Sequence, residues 1–130
     1  MPDYLTFDSL ARPAVPRSHA VRAAGLVFVS VTPHAPDRTL ATGDFEAQLR
    51  QCMDNLRVIL EKSGSALDRA VRVNVFLADV RRDRPALNEI YRTYFAPDRL
   101  PVRTTVGATL PHEDFLLEME CIAELAPGAG

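Results

Sequence analysis

The 130 residues contain no Gly-rich phosphate loop, no GxSxG elbow, no HExxH and no Cys/His metal spacing. The patterns that carry nucleotide binding, serine acyl transfer and zinc hydrolysis are therefore missing, and no metal site is expected. Lysine is nearly absent: Lys62 is the only one, and the other basic residues are arginines. A net charge of -2 gives no electrostatic footprint for nucleic acid. No apolar run approaches the ~20 residues that span a bilayer, so no membrane partner is expected. The two cysteines, Cys52 and Cys121, are far apart and fall on apolar faces, which suits buried free thiols and implies no disulfide framework. His19, His34 and His112 are scattered over loops and strand ends, where solvated or loop-anchoring roles are the default. Met1-Pro2-Asp3-Tyr4 lacks a basic region followed by an apolar one, so no signal peptide is expected, and the chain reads as soluble and cytoplasmic.

What is present is the balance of a globular domain, 47% apolar and 25% charged. Residues 1–130 read as one domain, with its core over about 12–124 and a loose tail at 126–130. The clearest element is a helix over Asp44–Lys62. Phe45, Leu49, Cys52, Met53, Leu56, Ile59 and Leu60 recur at helical spacing, with capping residues at Thr42-Gly43-Asp44 and a stop at Ser63-Gly64. A second, shorter helix is expected after Pro85, which suits a first-turn position, with Leu87, Ile90, Tyr91 and Tyr94 on its apolar face and Pro97 ending it. The preceding Arg81, Arg82 and Arg84 read as a solvated loop, not a polyanion site.

Strands are expected at Leu26–Val31, Ala70–Leu77, Val102–Val106 and Leu116–Glu124, with weaker signals at Leu5–Ser9 and Ala20–Arg22. In Ala70–Leu77, Val71, Val73, Val75 and Leu77 share one face. The order ββ(β)αβαββ predicts an α+β domain, a mixed sheet with both helices on one face. Two helices cannot cover both sides of that sheet. Phe28, Phe76 and Ile122 project from the uncovered face among polar neighbours, which predicts a homo-oligomer with a polar site in its interface.

Two strand-borne groups could carry chemistry. Arg103 opens a strand and shares a side with Thr105, while Glu118 and Glu120 share a face of the next strand. If the two strands form a hairpin, arginine and glutamate come within reach. Either they form a cross-strand ion pair, or Arg103 clamps a ligand carboxylate while a glutamate holds a water.

Six blocks in order resemble the RidA (YjgF-type) family of reactive-intermediate deaminases. They are Pro16-Arg17-Ser18-His19-Ala20, Gly25-Leu26-Val27-Phe28-Val29-Ser30, Gln51-Cys52-Met53-Asp54-Asn55-Leu56, Asn88-Glu89-Ile90-Tyr91 running to Tyr94-Phe95, Leu100-Pro101-Val102-Arg103-Thr104-Thr105-Val106, and Leu117-Glu118-Met119-Glu120-Cys121-Ile122-Ala123. The resemblance covers about residues 12–124. It implies a chorismate-mutase-like fold assembled as a homotrimer with clefts between subunits. It also implies cofactor-free hydrolysis of enamines and imines, such as 2-aminoacrylate, to a 2-oxo acid and ammonia. By the same resemblance Arg103 binds the substrate carboxylate, Glu118 positions the attacking water, Glu120 is a structural companion, and Ser30 and Asn88 line the site.

Three positions depart from the family pattern. The site tyrosine is replaced by Arg17, the cysteine beyond the clamp arginine by Thr105, and Ser-Gly-Gln by Ser30-Val31-Thr32. Thr105 keeps the backbone N–H through which that position can act. Arg17 adds a second permanent cation to a site holding Arg103. Two readings follow: the ligand carries a second carboxylate, as in 2-aminomuconate-type intermediates, or Arg17 turns to solvent or pairs with Glu118 or Glu120. A non-catalytic, carboxylate-binding or regulatory member of the family is the alternative to an enzyme. A ribonuclease or translation inhibitor fits poorly with the absence of a basic patch carrying aromatic platforms.

Overall fold

A computed structural model describes residues 1–129. The strands are β1 (Asp3–Leu5), β2 (Ala20–Ala23), β3 (Leu26–Val31), β4 (Ala70–Leu77), β5 (Val102–Gly107) and β6 (Leu117–Glu124); the helices are α1 (Phe45–Lys62), after β3, and α2 (Val80–Tyr91), after β4. The strands form one sheet in the order β1-β2-β3-β6-β4-β5. Every pairing is antiparallel except that of β4 with β5. The last strand thus inserts between β3 and β4, and α2 is the crossover that a parallel β4–β5 pair requires. Both helices pack on the sheet, as the sequence pattern predicts.

Alternation builds the core. Val27, Val29 and Val31 of β3, Val73, Val75 and Leu77 of β4, and Leu117, Met119, Cys121 and Ala123 of β6 are all buried. They meet Leu49, Cys52, Met53, Leu56, Ile59 and Leu60 of α1 and Leu87, Ile90 and Tyr91 of α2. Each fully buried aliphatic side chain contributes about 1.5–3 kcal/mol relative to exposure. Both cysteines are free and buried, and burial pushes the Cys121 thiol up to about 12 and Cys52 higher still. The opposite face of the sheet stays open: Phe28 and Val106 are each 42% exposed.

Four expectations need correction. The first strand occupies Asp3–Leu5, not Leu5–Ser9, because Phe7 leaves the sheet to stack on His19 and its carbonyl closes a turn to Leu10 N–H. The second helix starts at Val80, not after Pro85. Asp79 caps it, accepting from Arg82 N–H at 3.1 Å, and Pro85 sits exposed in the second turn, where only one intrahelical bond is lost. Arg81, Arg82 and Arg84 are therefore helical and not a loop. Val71 leaves the buried face and is 46% exposed, because the β4–β6 register shifts between Ala70 and Arg72 and leaves Val71 as the extra residue of a bulge. Finally, β5 and β6 do not form a hairpin, since β4 lies between them.

The tail read at 126–130 ends in Gly130, which lies outside the described residues. Its earlier part is tied to the domain. Ala126 N–H donates to Gly64 O at 2.9 Å, and Arg22 Nη1 donates to Ala129 O at 2.8 Å.

Candidate functional site

The sheet register decides which side each polar group takes. Arg103 pairs with Val73 and Thr105 with Val75, both buried toward the helices, so Arg103 and Thr105 project on the helix side. Glu118 pairs with Phe76 and Glu120 with Asn74 and Ser30, so these five lie on the open side. Within one chain, Arg103 and Glu118 occupy opposite faces, and the cross-strand pair expected from a hairpin does not form. The seven residues singled out in the sequence fall into two groups.

The first group surrounds Arg103. Asn88 and Tyr91 lie at i, i+3 on α2, facing the start of β5. Arg103 Nη2 donates to Asn88 Oδ1, and its Cζ sits 4.9 Å from the centroid of the Tyr91 ring. A guanidinium over an aromatic face gains cation–π attraction, and Asn88 fixes its rotation. Among the described residues no carboxylate pairs with Arg103, which leaves the rest of its donor fork available to an anion. Burial lowers the Arg103 pKa, Tyr91 acts against this, and the charge of Arg84 adds to it. Burial pushes the Tyr91 phenol up to about 12, against the pull of Arg103. Tyr91 OH and Thr105 Oγ1 are buried without a hydrogen-bond partner, so this corner holds polar capacity that the chain itself does not use.

The second group centres on Arg17. Its Nη1 donates to Ser30 O at 3.3 Å and Ser18 O at 3.4 Å. Burial lowers the Arg17 pKa and Glu118 opposes that; burial raises the Glu118 pKa and Arg17 opposes that. The two groups therefore sense each other within one chain without closing an ion pair. Glu120 accepts from Asn74 Nδ2 at 2.9 Å.

Supporting residues hold this geometry, and of these Asn55 and Gln48 were given no role from the sequence. Asn55 of α1 donates to Thr32 O at 3.1 Å and His34 O at 2.8 Å, which pins the chain leaving β3. Fully buried Gln48 donates to Ala41 O and Asp114 O and accepts from Leu116 N–H. His19 anchors a loop, with Nδ1 accepting from Phe7 N–H and Nε2 donating to Ala11 O, both at 2.9 Å. His34 and His112 are not scattered: their rings lie 6.0 Å apart, each against Phe115. Of these, the loop-anchoring role of His19 was open to the sequence; the contacts of Asn55 and Gln48 depend on segments far away in the chain. Among the described residues no group of three or more His, Cys, Asp or Glu side chains is placed to hold a metal ion, and no helix is long and apolar enough to cross a membrane.

The profile of a family described as Endoribonuclease L-PSP matches residues 9–125. Protein mmf2, mitochondrial, of Schizosaccharomyces pombe is 38% identical over 111 residues, covering 83% of this chain and 86% of its own. A RutC family protein of Pyrococcus horikoshii is 30% identical over 125 residues, covering 95% and 98%. The crystal structure of RidA from an Antarctic Psychrobacter superposes with a TM-score of 0.87 at 26% identity, covering 95% of this chain and 99% of that one.

Proposed function

This chain belongs to the RidA (YjgF-type, L-PSP) family, and from that premise we propose that it is an enamine/imine deaminase. It acts on 2-imino acids, 2-aminoacrylate-like or dicarboxylic in the manner of 2-aminomuconate, and needs no cofactor. The observation that carries this reading is the Arg103 guanidinium, held by Asn88, laid over Tyr91 and left without a carboxylate among the described residues.

The reaction asks little of a protein. An enamine gains a proton at carbon, loses one from nitrogen and becomes its imine. Water adds to the C=N carbon, the resulting amino alcohol expels ammonia, and a 2-oxo acid remains. Arg103 takes the substrate carboxylate through two parallel N–H···O bonds, fixing orientation as well as charge. Thr105 offers its backbone N–H beside it. Glu118 orients the water and accepts its proton, a role served by a carboxyl whose proton affinity burial has raised. Ser30 and Arg17 line the water side. Arg103 and Glu118 lie on opposite faces of one sheet, so the complete site is assembled from two copies, in a homotrimer with sites between subunits. The open face carrying Phe28, Ile122 and Val106 is the surface this assembly covers. We place the protein in the cytoplasm, unlike its Schizosaccharomyces pombe relative, which is named mitochondrial.

A 2-imino acid generated by an amino-acid oxidase, with semicarbazide as the competing trap, supplies the test. Wild type should remove the imine faster than buffer. Arg103→Ala should lose about 10- to 100-fold in kcat/KM, the scale of one or two charge-assisted hydrogen bonds. Binding of 2-oxo acids without acceleration of any imine would instead identify a non-catalytic carboxylate binder, the reading that Arg17 in place of a tyrosine favours.

A further inference from the structure

The helix α2 carries a second feature beside the clamp. Arg81, Arg84 and Asn88 fall within one stripe of its surface by their i, i+3, i+7 spacing. With Val80 and Pro85 they line an open depression of about 550 Å³. Asn88 is the residue whose side chain holds Arg103, so the depression adjoins the clamp directly.

Charge pairing along this helix is uneven. Arg82 forms ion pairs with Asp79 at 3.7 Å and Asp83 at 3.0 Å. Arg81 and Arg84 form none among the described residues, and neither does Arg103. The charge of Arg84 is felt at Arg103 and disfavours its protonated form. Like charges placed together without an intervening carboxylate are relieved by an anion that both can reach. Arginine is also suited to this, because its planar fork meets carboxylate and phosphate oxygens in pairs.

We infer that Arg84, assisted by Arg81, is a specificity-determining residue that receives a second anionic group of the ligand while Arg103 holds the 2-oxo or 2-imino carboxylate. The favoured ligands are then dianions, with a carboxylate or a phosphate-type group at the far end of a short chain. The inference rests on Arg103 being the carboxylate clamp of the proposed deaminase, and it moves the second cation from Arg17 to α2. Arg17 is already engaged with the Ser18 and Ser30 carbonyls and with the charge of Glu118, whereas Arg84 has no carboxylate partner among the described residues.

Binding is measured by calorimetry on the full chain with three ligands of similar length: 2-oxobutyrate, 2-oxoglutarate and 2-oxo-4-phosphonobutyrate. Wild type is expected to hold one or both dianions about 10- to 100-fold more tightly than 2-oxobutyrate, the scale of charged hydrogen bonds. Which dianion wins identifies the second group. The dianion-to-monoanion ratio should collapse toward one in Arg84→Gln and persist in Arg17→Tyr. No dianion advantage in wild type, or an advantage that survives Arg84→Gln, overturns the inference, as does collapse in Arg17→Tyr alone. Arg84 is exposed, and an unchanged thermal midpoint for Arg84→Gln shows that the fold is not in question. Imine turnover is read in parallel. Dianion binding that depends on Arg84 without turnover would sink the deaminase and leave this subsite standing; turnover without a dianion preference would do the reverse.

Discussion

Glu118 and Arg17 are partly buried beside one another, and their mutual influence gives the candidate site a testable pH dependence. Burial raises the Glu118 pKa and Arg17 holds it back. A base must be ionised to take a proton from water, so activity should fall on the acid side at a pH above the ordinary glutamate value of about 4.3. Replacing the cation by a neutral ring, Arg17→Tyr, removes the opposing influence and should move that acid limb to higher pH. A kcat/KM profile of both proteins checks this, and an unmoved limb would mean that Glu118 is not the group titrating. The same shift bears on stability. Between the unfolded and the raised folded pKa of Glu118, the native chain binds more protons than the unfolded one, so stability falls as pH rises. Glu118→Gln should therefore be more stable than wild type above that window and equal to it below the unfolded pKa, as read from urea midpoints at pH 4 and pH 7.5. Residue type could name Arg103 and the pair Glu118 and Glu120, which suit a carboxylate and a water, and the family resemblance chose Glu118. It could not say which way either points: that depends on where β6 inserts, and a strand's own alternation carries no information about its neighbours.

At the scale of elements, α1 does more than supply an apolar stripe. Gln48 is fully buried beside the start of that stripe and makes three hydrogen bonds, to Ala41 and to the segment entering β6. Gln48→Leu keeps the apolar character but strands Leu116 N–H and two carbonyls. Each buried group left unsatisfied costs about 1–3 kcal/mol, and partial rehydration of the loop relieves some of that, so the variant should lose about 3 kcal/mol. Denaturant unfolding at fixed protomer concentration measures it; a loss below about 1 kcal/mol would mean that water replaces the side chain fully. The helix itself was legible from its periodicity and caps, and Asp44 indeed accepts from Ala47 N–H at 3.0 Å. The start of α2 was not. Pro85 is a helix-starting signal by its fixed φ and missing donor, but the capping carboxylate of Asp79 acts six residues earlier. A cap that satisfies orphan N–H groups outweighs one lost bond on an exposed side. The strand ends were blurred for a related reason, since the β-bulge at Val71 belongs to the pairing of two strands and not to the sequence of one.

At the scale of the whole molecule, one sheet with helices on one side leaves a half-apolar face and two separated sets of polar residues. The strand pattern already implied that two helices could not cover both faces, so the open half-apolar face was legible; the placement of Arg103 and Glu118 on opposite faces was not. That division makes the assembly itself testable through activity. Arg103→Ala and Glu118→Gln should each keep only about a tenth of wild-type activity or less as homo-oligomers, because every interface lacks one half of the site. When the two variants are unfolded together in equal amounts and refolded, subunits mix at random. An interface that draws its arginine from one variant and its glutamate from the other contains both wild-type groups. If each site takes one half from each of two neighbours, about a quarter of the sites are restored, the product of two independent one-half probabilities at a heterologous interface. Recovery of about a quarter of wild-type turnover in the mixture, well above the residual of either variant refolded alone, supports sites shared between subunits. Failure of the mixture to recover any activity, while refolded wild type regains its own, would place Arg103 and Glu118 in different roles and overturn the shared site.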